Sequence, residues 1–159
     1  VEKIAISSGI IENINLVDEL SEVIGNQSIV LAIDVKKNIF GKYIVFTHNG
    51  NKKTNFSLDE LLNIISSLSL GEVVINSIDR DGLMNGYDLN LINIVRKSID
   101  FPITVLGGAG SIEDFKNIIK DEGIIGAAAG SFFVFKGVYK AVLINYPSKD
   151  LKNKIVYAN

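Results

Sequence analysis

Five short, continuously apolar runs recur along the chain at intervals of roughly 20 to 40 residues: KIAISSG (3–9), SIVLAIDV (28–35), EVVINSID (72–79), ITVLGGAG (103–110) and IIGAAAGS (124–131). Continuous rather than alternating apolarity is the mark of a strand covered on both faces, as in a parallel sheet. Between the runs lie segments with apolar residues at i, i+3, i+4 and i+7, which predict helices over 14–25, 57–70, 88–99 and 111–121. Ser57 with Glu60 forms a capping box, and Asp88 and Ser111 stand at the N-cap positions of the last two helices, with Asp114 completing a box-like spacing. KYIVFTHNGNKKT (42–54) is an extra strand-like excursion that turns at Asn49-Gly50. Unbroken strand–helix alternation with no linker predicts one α/β domain over residues 1–159.

Two α/β architectures fit, an open doubly wound sheet and a (β/α) barrel. Both place function at the C-terminal ends of the strands. A dinucleotide fold would gather its glycines into one G-x-G-x-x-G turn, and the chain has none. Every run instead ends in small or polar residues: Ser7-Ser8-Gly9, Asp34, Asp79-Arg80-Asp81-Gly82, Gly107-Gly108-Ala109-Gly110 and Gly130-Ser131. Polar groups spread over five successive strand ends favour the barrel.

Composition removes several chemistries. With no cysteine and a single histidine, His48, the chain has neither a thiol nucleophile nor a multi-histidine metal site. A net charge of −2 is not that of a nucleic-acid-binding domain. No apolar run reaches the ~18 residues a membrane span requires. A cytoplasmic protein is expected. The chain opens at Val1 without an initiator methionine and enters a strand at Lys3, which raises the expectation of an upstream segment lost by processing or truncation.

The strand ends offer distinct candidates. GGAG (107–110) leads into a helix, where glycines allow close backbone approach and free N–H groups bind anions. Gly130-Ser131 offers a second such turn, and two final strand ends with this character suggest a phosphate site; plain tight turns are the alternative. Asp34, at the mouth of its strand, suits a general acid or base, or else a helix cap or ion pair. SIDRDGLMNGYD (77–88) fails as a calcium loop, since Leu83 and Met84 occupy required positions. There, Arg80 is expected to pair with its flanking aspartates while Asp81 faces the pocket. Lys3 and Glu72, at strand N-termini, read on composition alone as solvated charges.

AIDV, GEVVINSIDRDGLMNGYD, VLGGAGS and AAAGSFF resemble, in order and spacing, the cyclase subunit of imidazole glycerol phosphate synthase (HisF). The resemblance implies a TIM (β/α)8 barrel of which this chain supplies a partial barrel, strands 4 to 8. It implies an enzyme that joins ammonia from a glutaminase (HisH-like) partner to a phosphorylated ribulosyl intermediate. The products are imidazole glycerol phosphate and an aminoimidazole ribotide, with no cofactor and no metal. By the same resemblance Asp34 is the strand-5 acid/base and Asp81 a carboxylate lining the active site. Gly82, Gly107, Gly108, Gly130 and Ser131 hold one phosphate; Ser7 and Ser8 contribute to the other. Asn76, where the family commonly has threonine, is assigned to the substrate. Lys3 and Glu72 become members of a charged ring gating ammonia at the barrel floor. THNG (47–50) and FKGVYKAVLINYPS (135–148) look more like a branch that installs an acetamidino group on a nucleotide sugar for surface polysaccharide. A catalytically silent phosphate-binding half-barrel and a phosphosugar isomerase barrel are the competing readings. The family's second catalytic aspartate belongs to strand 1, outside this chain, and open strand edges predict self-association or pairing with a missing segment.

Overall fold

The computed structural model describes residues 2–121, 124, 126–137 and 139–156. All five apolar runs form strands: β1 (Ile4–Ile6), β2 (Ile29–Lys37), β5 (Glu72–Ser77), β6 (Ile103–Leu106) and β7 (Gly126–Ala127). They pair in parallel in the order β1-β2-β5-β6-β7. The excursion at 42–54 is two strands rather than one, β3 (Tyr43–Thr47) and β4 (Lys52–Ser57). This antiparallel hairpin pairs with Asp34–Lys37 of β2, beyond the Ile29–Leu31 segment that β1 uses. Pairing with β3 extends β2 two residues past the run visible in the sequence.

Helices fill the connections. α1 (Ser8–Glu12) and α2 (Leu16–Ile24) follow β1, α3 (Leu58–Ile65) follows the hairpin, α4 (Leu89–Ser98) follows β5, and α5 (Ile112–Asp121) follows β6. α3 stops at Ile65, short of the predicted end at 70. Its capping box is present in full, and Leu58, Leu61, Leu62 and Ile65 are buried, each worth about 2 kcal/mol of apolar transfer. The final strand is shorter than predicted, and Gly130 and Ser131 begin the four-residue α6 (Ser131–Val134) instead of ending the strand. A short ribbon, β8 (Phe135–Lys136) with β9 (Ala141–Val142), leads to α7 (Lys149–Val156). Tyr87, Phe115, Phe132, Phe133 and Tyr146 form a chain of ring contacts, with centroids 5.0–6.0 Å apart, that ties these last elements to α5.

The strands are less evenly covered than continuous apolarity suggests. Ile29, Leu31, Ile33, Val35, Val73, Ile75, Ile103 and Val105 are buried, whereas Ala32, Asp34, Val74, Asn76, Thr104 and Leu106, alternating with them, are half-buried. The first set belongs to the hydrophobic core that the helix residues share. The second lines the concave face, which an arc of five strands encloses only in part. The fold is that of a partial TIM barrel.

Candidate active site

Parallel register places Asp34 beside Asn76 and Asn76 beside Leu106, one layer across β2, β5 and β6 at their C-terminal ends. These three residues, with Asn49, Ile78 and Asp81, line a cavity of about 450 Å³. Asn76 Nδ2 donates to Asp34 Oδ1 at 2.9 Å, so the carboxylate is oriented by an amide rather than by a helix cap or ion pair. Asn76 Oδ1 is buried without a partner among the described residues. A buried acceptor left in that state costs about 1–3 kcal/mol.

Asn49 was not a site candidate in the sequence, although its turn was legible. His48, Asn49 and Gly50 lie consecutively in the left-handed region, with φ of 54°, 57° and 79°. The turn lies on Ile78, whose Cδ1 would be 3.1 Å from a Cβ added at Gly50. On its other side Ser8 Oγ accepts from His48 N–H at 2.8 Å, and Lys52 Nζ meets Glu12 Oε1 at 2.8 Å. Ser8 therefore anchors the hairpin, a task not visible in the sequence. Ser7 Oγ is buried and without a partner among the described residues.

The stretch from Ser77 to Asp88 is the lip of this cavity. Arg80 departs from expectation. Its Nη1 donates to the carbonyl of Gly86 at 2.9 Å, and its Nε lies 4.0 Å from Asp88 Oδ2, so its acidic partner is eight residues away rather than adjacent. Asp79 instead accepts from Lys37 N–H at 2.7 Å. Asp88 is the hub. It caps α4 through Leu91 N–H at 3.2 Å, accepts from Tyr43 Oη at 2.9 Å, and pairs with Lys37 Nζ at 3.2 Å. Burial alone raises the pKa of Asp88, but these partners outweigh it and hold the carboxyl below the ordinary range. Asp81 is left facing the cavity.

The glycine turns behave differently from one another. Gly82 (φ 76°) lies beside Ser131, whose Oγ would be 3.7 Å from an added Cβ, and a Cβ at Gly130 would meet nothing within 4 Å. These three leave open space at the mouth. Gly107 and Gly108 are instead demanded by the protein itself. A Cβ on Gly107 would stand 2.6 Å from the Ser77 carbonyl, and one on Gly108 (φ 115°) 2.2 Å from that of Gly86. The N-terminus of α5 is also already occupied. Asp114 Oδ2 accepts from Gly110 N–H at 2.9 Å and Ser111 N–H at 2.8 Å, so those amides are not free for an anion as the sequence suggested.

At the opposite end of the concave face, Lys3 Nζ meets Glu72 Oε2 at 2.6 Å, with the lysine side chain 52 % exposed and the glutamate 14 %. Composition alone suggested two solvated charges; the structure pairs them. Thr104, absent from the sequence candidates, donates its hydroxyl to Glu72 Oε1 at 2.5 Å. Burial pushes Glu72 up, and Lys3 and Thr104 together bring it below the usual carboxylate value. Glu72 and Asn76 share one face of β5 four residues apart, so floor and mouth are separated by about 13 Å.

Barrel enzymes that gather function from successive strand ends are the class this arrangement defines. The chain belongs to the histidine biosynthesis protein family, whose model matches residues 1–140, and is a HisF-like member of it. It is 49 % identical over 158 residues to a provisionally named imidazole glycerol phosphate synthase subunit HisF of Leptospira interrogans, covering 99 % of this chain and 62 % of the relative. A similarly named protein of Leptospira borgpetersenii is 51 % identical over 149 residues, covering 93 % and 59 %. Imidazole glycerol phosphate synthase subunit HisF of Petrotoga mobilis is 38 % identical over 152 residues, covering 95 % and 57 %. The chain thus spans about 57–62 % of the length of these relatives.

Proposed function

We propose that this chain is the C-terminal part of a synthase subunit that takes ammonia from a glutaminase partner and uses it to form imidazole glycerol phosphate. One observation carries the reading. Asp34 and Asp81 line a single cavity at the strand C-termini, while a charged pair stands at the other end of the same concave face. Ammonia admitted beside Lys3 and Glu72 travels past Val74 and Ala32 to the mouth. There Asp34, oriented by Asn76, moves protons to and from the nitrogen as the new C–N bond forms. Gly82, Gly130 and Ser131 make room for one phosphate of the substrate, with Gly107 and Gly108 shaping the turn behind it. Ser7 and Ser8 border the second phosphate. The second acid/base and the strands that close against β1 and β7 come from outside this chain, from the rest of a longer chain or a second copy. The reaction is cytoplasmic.

Asn76 favours one further reading. Where the resembling family commonly has threonine, a longer amide narrows the cavity that this residue lines. That suits a different substrate, a nucleotide sugar receiving an acetamidino group.

An ammonium-dependent assay of the complete protein with both substrates tests the proposal. Turnover of the phosphorylated ribulosyl intermediate, lost in Asp34→Asn with phosphate-ligand affinity kept within about twofold, is the expected result. Turnover of the nucleotide sugar alone would select the second reading. Turnover of neither would overturn both and leave a silent phosphate-binding half-barrel.

A further inference from the structure

We propose that Thr104 is a positioning residue of the ammonia inlet, holding Glu72 so that Lys3 and Glu72 close on one another in a defined geometry. The inference rests on the ammonia-using reading above and adds a residue that the reading does not contain.

Glu72 has its two oxygens divided between two partners. Oε2 takes Lys3 Nζ at 2.6 Å and Oε1 takes the Thr104 hydroxyl at 2.5 Å. Lys3 is a long side chain, half-exposed, and a surface pair of that kind holds no single geometry by itself. Thr104 differs in kind. It is β-branched and stiff at χ1, it sits inside the sheet on β6, and its register partners are Val74 on one side and Gly126 on the other. A hydroxyl fixed in this way pins one oxygen of Glu72, which leaves the other aimed at Lys3. Without it the carboxylate is free to swing between Lys3 and solvent.

Gly126 shows that the hydroxyl's place is reserved. A Cβ at 126 would stand 1.9 Å from Thr104 Oγ1. Gly126 does not lie among the positive-φ residues, so its glycine answers a need for space and not for an unusual backbone. Thr104 thus joins β6 to a pair otherwise carried by β5 and the residue that precedes β1.

The test compares Thr104→Val, which keeps the shape and loses the hydroxyl, with Thr104→Ser, which keeps the hydroxyl. In the complete protein with its glutaminase partner, the readout is the ratio of glutamine-supported to ammonium-supported turnover, because a loose inlet leaks ammonia delivered by the partner. The ratio is expected to fall about tenfold or more in the valine variant, the effect of one lost hydrogen bond to a charged group, and to return to within about twofold in the serine variant. An unchanged ratio in the valine variant, or an equal fall in both, would overturn the role. A second measurement does not depend on turnover. The Glu72 carboxyl, followed by NMR titration, is expected to titrate higher in Thr104→Val and to stay in place in Thr104→Ser. If the wild-type protein turned over neither substrate, the ammonia-using reading would fall, and an unmoved Glu72 titration would sink the Thr104 assignment on its own.

Discussion

Asp88 is only 5 % exposed and joins three elements through Leu91, Tyr43 and Lys37. Alanine there removes the cap of α4, worth about 1 kcal/mol. It also strands the hydroxyl of Tyr43, which donates to Asp88 at 2.9 Å; a hydrogen bond to a charged acceptor is worth about 1.5–3 kcal/mol. Lys37 adds little, since its side chain is 38 % exposed and returns to water. The total for Asp88→Ala is about 2.5–4 kcal/mol at pH 7. Asparagine caps helices as well as aspartate and still accepts from Tyr43, so Asp88→Asn costs about 1 kcal/mol. The pH dependence has a definite sign. The folded pKa of Asp88 is depressed, so its contribution is present above the unfolded value of about 3.9 and is lost as pH falls through the folded value. Urea unfolding followed by far-UV circular dichroism at pH 7 and pH 3 measures both effects. The reasoning is refuted if the asparagine variant is as unstable as the alanine variant, or if the gap between wild type and Asp88→Ala is the same at both pH values.

Gly130→Val and Gly108→Ala separate ligand space from backbone need: the first is expected to weaken phosphate binding about tenfold with unchanged unfolding, while the second, forced to φ 115° against the Gly86 carbonyl, costs about 2 kcal/mol of stability or more. Equal stability of Gly108→Ala and wild type in urea titration would contradict the close approach. Asn76→Leu removes the donor that orients Asp34 and should lower kcat about tenfold; steady-state kinetics with an unchanged kcat would mean that Asp34 holds its place without it. Leu61→Ala, at a fully buried position on α3, should cost about 2–5 kcal/mol in the same unfolding experiment.

What the chain determined by itself was local. Strand–helix alternation, the Ser57–Glu60 box, the Asp88 cap and the Asn49-Gly50 turn all depend on groups within four residues of one another, where spacing alone dictates the hydrogen bonds. The tertiary structure decided what met across strands. Asp34 reaches Asn76 through parallel register, at a sequence separation of 42 that no periodicity encodes. Arg80 passes over its adjacent aspartates for Asp88, because the loop folds its own end back beneath the guanidinium. The glycines of the candidate phosphate site look alike as letters, yet Gly107 and Gly108 are set by the carbonyls of Ser77 and Gly86, whereas Gly130 faces open space. Thr104 shows the limit most plainly. One hydroxyl in an apolar run carries no signal until β5 and β6 lie side by side and bring it to Glu72, since lateral neighbours in a parallel sheet are chosen by the crossover helices between them and not by residues nearby in the chain.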